Sequence, residues 1–384
     1  MLTAIWNRPR NYSWGSATLI ADLEGRTPPA GDGEPEAEIW YGDHPGSPSH
    51  VDDGTGRTLD AVLAADGQPA LPYLLKLLAA GSSLSIQAHP SKAEALAGFA
   101  REEDAGIPRD AAERTYRDDN HKPEIIVAVS DTFRALVGLR RIAETRRLLD
   151  ALGDGPGIAE FVRRLGGEDE ARVLRDALAW ILSGDAAATV DEVTAALEAP
   201  RDGDEFGAEF AVLRAVAQDF PGDPGLLVAL LMNLVTLRRG EALFAPAGVL
   251  HAYQDGLGVE LMAASDNVLR GGLTPKHVDV PELLRIVDTR PGPAPLVTPE
   301  PVDDYEVFDA GVADFSLAHV RVAGQARVPL SGPAIALVTA GSVTVSSPSG
   351  AVELVPGRAV FATADEGELT LSGTGEAFVA QPGR

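Results

Sequence analysis

Gly240-Glu241-Ala242-Leu243-Phe244-Ala245-Pro246-Ala247-Gly248-Val249-Leu250-His251 is the stretch whose reading decides the fold class. A glycine-led turn enters a short apolar strand, Pro-Ala-Gly closes it, and a histidine follows. The first half returns near the C-terminus as Gly357-Arg358-Ala359-Val360-Phe361-Ala362, which continues Thr363-Ala364-Asp365 with no following histidine. Both copies fit the turn-then-strand element of a small jelly-roll barrel. Before residue 140 the chain reads as short strands broken by Gly, Pro and Asp turns, with one helical patch near residues 92–101. From about residue 141 to 239 the period changes. Residues 142–149, 171–178, 190–197 and 210–216 carry apolar side chains at three- and four-residue spacing. After Gly240 strand signals return, and residues 316–322 and 334–345 alternate. The expectation is a mainly β protein of two jelly-roll barrels with an α-helical insertion domain. Residues 1–140 and 240–300 form the first barrel, 141–239 the insertion, and 301–384 a second barrel without a metal site.

Three polar motifs abut strand-like segments of the expected first barrel. Ser85-Ile86-Gln87-Ala88-His89-Pro90 sets an amide and an imidazole two residues apart, on one face of any strand. Glu124, in His121-Lys122-Pro123-Glu124, opens the apolar run Ile125-Ile126-Val127-Ala128-Val129. His251 ends the stretch quoted first. Two imidazoles, one carboxylate and one amide oxygen suit a divalent ion such as zinc with an exchangeable water. A single histidine beside a strand is more often a packed residue than a ligand. His44, His50, His277 and His319 have no partner motif and are read that way, as are Trp14 and Trp40.

Composition bounds the rest. No cysteine is present, so no disulfide or thiolate chemistry is available and a reducing, cytoplasmic setting is expected. The first residues lack a signal-peptide pattern, and the longest apolar run, residues 226–237, is too short to span a bilayer. A net charge of −25 argues against nucleic acid or an anionic membrane as partner, and obliges any anion site to gather its cations locally. Of the 32 basic residues only Lys76, Lys92, Lys122 and Lys276 are lysine. A lysine kept in so arginine-rich a chain is a candidate for work that a permanently charged guanidinium cannot do.

The blocks SLSIQAHPSK, DDNHKPEIIVAV and FAPAGVLHAYQDGLGVELMAASDNVLRGGLTPKHVDV, with IWYGDHP and LPYLLK before them, resemble the class I mannose-6-phosphate isomerases in order and spacing. The resemblance runs in blocks over about residues 1–290, with a diverged middle and C-terminus. It implies two cupin-like jelly rolls and one zinc ion per chain held by Gln87, His89, Glu124 and His251. It also implies interconversion of mannose 6-phosphate and fructose 6-phosphate through an enediol(ate). Such a reaction needs an electrophile at the carbonyl, a base for a carbon-bound proton and a hold on the phosphate. The family points to Ser85, Lys76 and Lys276 for the phosphate, and to Arg270 for the developing enediolate. Lys122 is read as base or as fixed cation, Asp266 as orienting group or proton shuttle, and Glu260 as a sugar contact or the support of a ligand. His121, out of phase with Glu124, is given a supporting place. A monomer is the expected state. The alternatives are a metal-dependent isomerase of unphosphorylated sugars, a sugar sensor without turnover, and an iron oxygenase, which the amide ligand and the cationic set disfavour.

Overall fold

The computed structural model describes residues 1–29, 33–199 and 205–383. It is mostly sheet, with ten α-helices among the described residues. One sheet has ten strands and the other nine. The hub of the ten-stranded sheet is the strand His251–Ala263, which runs antiparallel to four others. Its first half pairs with Gln87–Ala88 and Thr132–Leu139, and its second half lies between Tyr73–Ala80 and Glu124–Ala128.

Period-two alternation decides what each face of these strands meets. Tyr73, Leu75, Leu77 and Ala79 point into an apolar core shared with the nine-stranded sheet, together with Ile125, Val127, Val259 and Leu261. Phe308, Phe315, Leu337, Phe361 and Phe378 fill that core from the other side. The intervening positions Lys76, Glu124 and Glu260 therefore share the opposite face. Every residue of Tyr73–Ala80 is buried, so the polar members of that face have little water around them.

Six helices, from Ile142–Leu152 to Gly225–Leu231, lie between the strands Thr132–Leu139 and Met232–Arg238, which pair with each other. The helices and the adjoining sheet residues form one continuous apolar cluster. The run expected as a single apolar segment, residues 226–237, divides at Met232, where helix gives way to strand.

The two echoing hexapeptides occupy matching places in the two sheets. Gly240 and Gly357 both take positive φ, +84° and +82°, which an L side chain adopts only with strain. Gly240 donates to Ala128 O while Glu241 O accepts from Ala128 N. Gly357 and Arg358 repeat that exchange with Val338. One expected boundary needs correction. The strands Leu2–Trp6 and His50–Val51 belong to the nine-stranded sheet: Leu2 to Ile5 pair with Ala362 to Ala359, and His50–Val51 pairs with Leu2–Trp6 in turn. An alternating strand satisfies either sheet, and a register across more than 350 residues is not written locally.

Candidate metal centre and substrate cleft

His89, Glu124 and His251 come together from three separate segments, and one donor atom from each lies within 4.8 Å of the others. All three are buried. His251 opens the hub strand, its backbone opposite Gln87. The Gln87–Ala88 strand is only two residues long, so Ser85 and His89 flank it rather than sharing its ladder, contrary to the strand reading. Gln87 remains beside the group: its backbone pairs with both His251 and Arg270, and its amide makes no hydrogen bond to another described residue.

The imidazoles are oriented from behind. His89 Nδ1 lies 2.7 Å from the Asn267 carbonyl and His251 Nδ1 lies 3.0 Å from the Val249 carbonyl. A carbonyl only accepts, so each Nδ1 carries a proton, and in the neutral ring the Nε2 presents a lone pair. Both Nε2 atoms face the Glu124 carboxylate, at 3.4 Å from His89 and 3.1 Å from His251. The His89 Nε2 is buried without a hydrogen-bond partner. Burial brings the His89 imidazole down to about 4, against the opposing pull of Glu124, so it is neutral near pH 7. Burial pushes the Glu124 carboxyl up, but the Lys122 ammonium beside it leads the opposing pull, and the group is held well below the usual carboxylate range. Lone pairs converging on a buried carboxylate repel unless a cation lies among them. The donor set fits a divalent metal.

Around this centre the polar residues of the same sheet face form a charged lining. Lys122 Nζ lies 2.8 Å from Glu124 Oε1, although the strand begins only at Glu124. Lys76 Nζ donates to Glu260 Oε2 at 2.9 Å, with Glu38 Oε1 at 3.8 Å and the Trp40 ring face 5.3 Å away. Burial alone would lower the Lys76 ammonium, but Glu260, Glu38 and Glu124 together raise it well above its ordinary value. Glu260 is pushed up, first by burial and then by Glu124 and Glu38 against the pull of Lys76, because carboxylates outnumber cations here. Asp266 sits at the rim, half exposed, 3.4 Å from His44 Nε2. Its carboxyl is lowered by His44 first, and also by Lys122 and Lys76, against burial.

A second cationic group has no acid to balance it. Arg270 is lowered by burial and then by Arg117, and Lys276 by burial and then by Arg270 and Arg117. None of the three forms an ion pair among the described residues. Unpaired cations gathered in a chain of charge −25 suit an anion. Ser85, expected beside them, is half-buried just before Gln87.

Sequence reasoning missed four contributors. Arg117 precedes the quoted DDNHKPE block, and its backbone N–H donates to Asn267 Oδ1 at 2.7 Å. Asn267 lies inside a quoted block, but its work as a staple among His89, Arg117, Asp118 and Asn120 spans about 150 to 178 residues. Glu38 stands just before the quoted block IWYGDHP and His44 lies within it, but neither shows in the sequence which distant residue it will face.

A buried pair of imidazoles and a carboxylate on or beside strands of one sheet can hold a divalent metal, and the unpaired cationic group beside them suits an anion. The phosphomannose isomerase type I catalytic domain family matches residues 2–142. Mannose-6-phosphate isomerase of Escherichia coli (strain K12) is 36% identical over 386 residues, covering 96% of each chain. The Bos taurus mannose-6-phosphate isomerase is 32% identical over 405 residues, covering 93% of this chain and 92% of its own. A crystal structure of mannose 6-phosphate isomerase from Salmonella typhimurium, bound to substrate and zinc, superposes with a TM-score of 0.88 at 34% identity and covers 100% of both chains. The chain belongs to the type I phosphomannose isomerase family.

Proposed function

We propose that this chain is a zinc-dependent aldose–ketose isomerase that interconverts mannose 6-phosphate and fructose 6-phosphate through an enediol(ate). The observation that carries the reading is the His89–Glu124–His251 group, whose Nε2 lone pairs converge on a buried carboxylate. Gln87 supplies the fourth protein ligand from the facing strand. With three neutral donors and one carboxylate, the site would stay net positive around a zinc ion, which would supply polarisation of the sugar carbonyl when bound.

This chain's own residues do the rest. Arg270 and Lys276, with Arg117 beside them, receive the phosphate, and Ser85 adds a hydroxyl at the same end. Arg270 also lies across from Gln87, so its guanidinium is available to the enediolate oxygens. Lys122 faces the reacting carbons from the Glu124 side, as the base or as the cation that steadies the developing charge. Asp266, held ionised by His44 and the lysines, is the second group able to move a proton. Lys76 and Glu260 hold each other and present the remaining polar wall to the sugar.

The architecture we propose is two cupin-like barrels, the first interrupted by the helical segment and the second completed by the strand Leu2–Trp6. The matched turns at Gly240 and Gly357 support it. We place the enzyme in the cytoplasm as a monomer. No helix among the described residues is long and apolar enough to cross a membrane.

The test is coupled conversion of mannose 6-phosphate to fructose 6-phosphate, with zinc measured per chain. Activity is expected to vanish on chelation and in His89→Ala and His251→Ala, together with the metal, and to be far weaker on unphosphorylated mannose. Full activity in a metal-free preparation sinks the reading.

A further inference from the structure

Lys122 stands where the backbone has least support of its own. Residues 117–123 lie in no helix or strand, and the ladder that carries Glu124 starts at Glu124 itself. On the C-terminal side Pro123 confines Lys122 to extended conformations, and the Pro123 carbonyl accepts the Ala263 N–H at 3.1 Å. On the N-terminal side the Asn120 carbonyl accepts from Asn267 Nδ2 at 2.8 Å and from Ser265 Oγ at 3.2 Å. The peptide between these anchors belongs to His121.

His121 is held from the other sheet. Its Nε2 lies 2.7 Å from Asp314 Oδ2, a contact across 193 residues. Asp314 lies in the connection between the strands Tyr305–Phe308 and Ser316–Pro329 of the nine-stranded sheet. The C-terminal end of that connection is anchored: Phe315 is fully buried in the core between the sheets, and the Ala313 carbonyl accepts the Gly383 N–H at 3.1 Å. The Asp314 side chain is 16% exposed and that of His121 26%. Burial pushes the Asp314 carboxyl up, and the His121 hydrogen bond and charge bring it below its ordinary value, so an ionised acceptor faces the ring.

We infer that Asp314 is a positioning residue for the isomerase reaction, fixing through His121 the segment that aims the Lys122 ammonium at Glu124 and the reacting sugar. The nine-stranded sheet thus reaches into the chemistry through this hydrogen bond. This rests on Lys122 being part of the catalytic set, as proposed above.

The experiment is steady-state kinetics on the zinc-loaded enzyme, with metal content and thermal melting measured on the same samples. Asp314→Ala is expected to lower kcat about 10- to 100-fold, the cost of displacing a catalytic group by a fraction of a bond length to about 1 Å, with KM nearly unchanged and zinc retained. Asp314→Asn keeps an acceptor oxygen in place and is expected to recover most of the turnover. A merely structural role does not split kcat from KM, nor does it respond to that rescue. Should Asp314→Ala fail to fold, Asp314→Ser removes the same contact with less apolar exposure and carries the same expectation. Parent kcat in either variant overturns the inference, and so does a loss that follows the zinc content. Lys122→Met is run alongside. Parent kcat there overturns the lysine reading on which the inference rests, whereas an impaired Lys122→Met beside an unimpaired Asp314→Ala overturns the inference alone.

Discussion

Replacing Lys76 by Met keeps the length of the side chain and removes its charge from the middle of a strand in which every residue is buried. Two carboxylates then lose their cation: Glu260, at 2.9 Å, and Glu38, at 3.8 Å. With an effective dielectric of about 20, those separations correspond to gross attractions of ~6 and ~4 kcal/mol. Most of this offsets the cost of taking three charges out of water, so the net loss on removing one partner is about 3–5 kcal/mol. Glu260, already pushed up by burial and its acidic neighbours, is expected to take up a proton in the variant. Equilibrium urea unfolding of the zinc-loaded protein reads the loss. The variant Lys76→Met/Glu260→Gln, which leaves only Glu38 uncompensated, is expected to recover more than half of it. A role in phosphate binding adds a separate signature, a raised KM for the sugar phosphate in Lys76→Met that Glu260→Gln does not restore. A single variant within about 1 kcal/mol of the parent, or a double variant less stable than the single one, refutes the reasoning.

The two site lysines are expected to separate kinetically. Lys276→Ala raises KM for mannose 6-phosphate with kcat little changed, since a phosphate contact exists in ground and transition states alike. Lys122→Arg loses kcat by orders of magnitude if a neutral amine takes the proton and keeps most of it if a fixed cation suffices, so one kcat measurement with zinc bound separates the two roles. Glu376 gives a pH prediction. Burial pushes it up, but His319, Thr339 and Arg239 outweigh that and hold it at about 2 in the fold against an ordinary 4.5. A depressed carboxyl contributes stability that is fully present above its unfolded value and is lost as pH falls toward the folded one. Thermal melting is therefore expected to weaken between about pH 4.5 and 2 in the parent and to be flatter there in Glu376→Gln. Equal slopes end that account.

The parts of the fold legible in the sequence are those fixed by local chemistry. Apolar spacing at three and four residues marks the helices Ile142–Leu152, Glu170–Leu182, Ala187–Leu197 and Gly207–Asp219, because a helix face is set by neighbours within a few turns. Gly240 and Gly357 are legible for a similar reason, since a left-handed turn excludes most other residues. Strand partnership is another matter. Leu2–Trp6 carries the same pattern whichever sheet receives it, and only the register with Ala359–Ala362 decides. The grouping of His89, Glu124 and His251 was legible because each stands in or beside a short strand-like segment. His44 with Asp266, Asn267 with Arg117, and His121 with Asp314 were not, because a polar side chain in a loop does not announce which distant loop it will meet.

The internal echo shows what stands in the second sheet at the place that Glu124 takes in the first. Glu124 pairs with Ala245, five residues beyond Gly240, and Ala334 pairs with Ala362, five residues beyond Gly357. Ala128 and Val338, each four residues after Glu124 and Ala334, exchange the same pair of backbone hydrogen bonds with the two turns. Ala334 is therefore the position in the second sheet that Glu124 takes in the first. A carboxylate there without Lys122, His89 and His251 around it would be a buried unpaired charge, which folded chains avoid by several kcal/mol. Alanine removes the problem and leaves a methyl group in an apolar cluster with Ala336, Val360 and Ala362. Once the carboxylate is gone, the strand face can pack as ordinary core. What the second sheet still offers the reaction, on the inference drawn above, is the Asp314 carboxylate that holds His121.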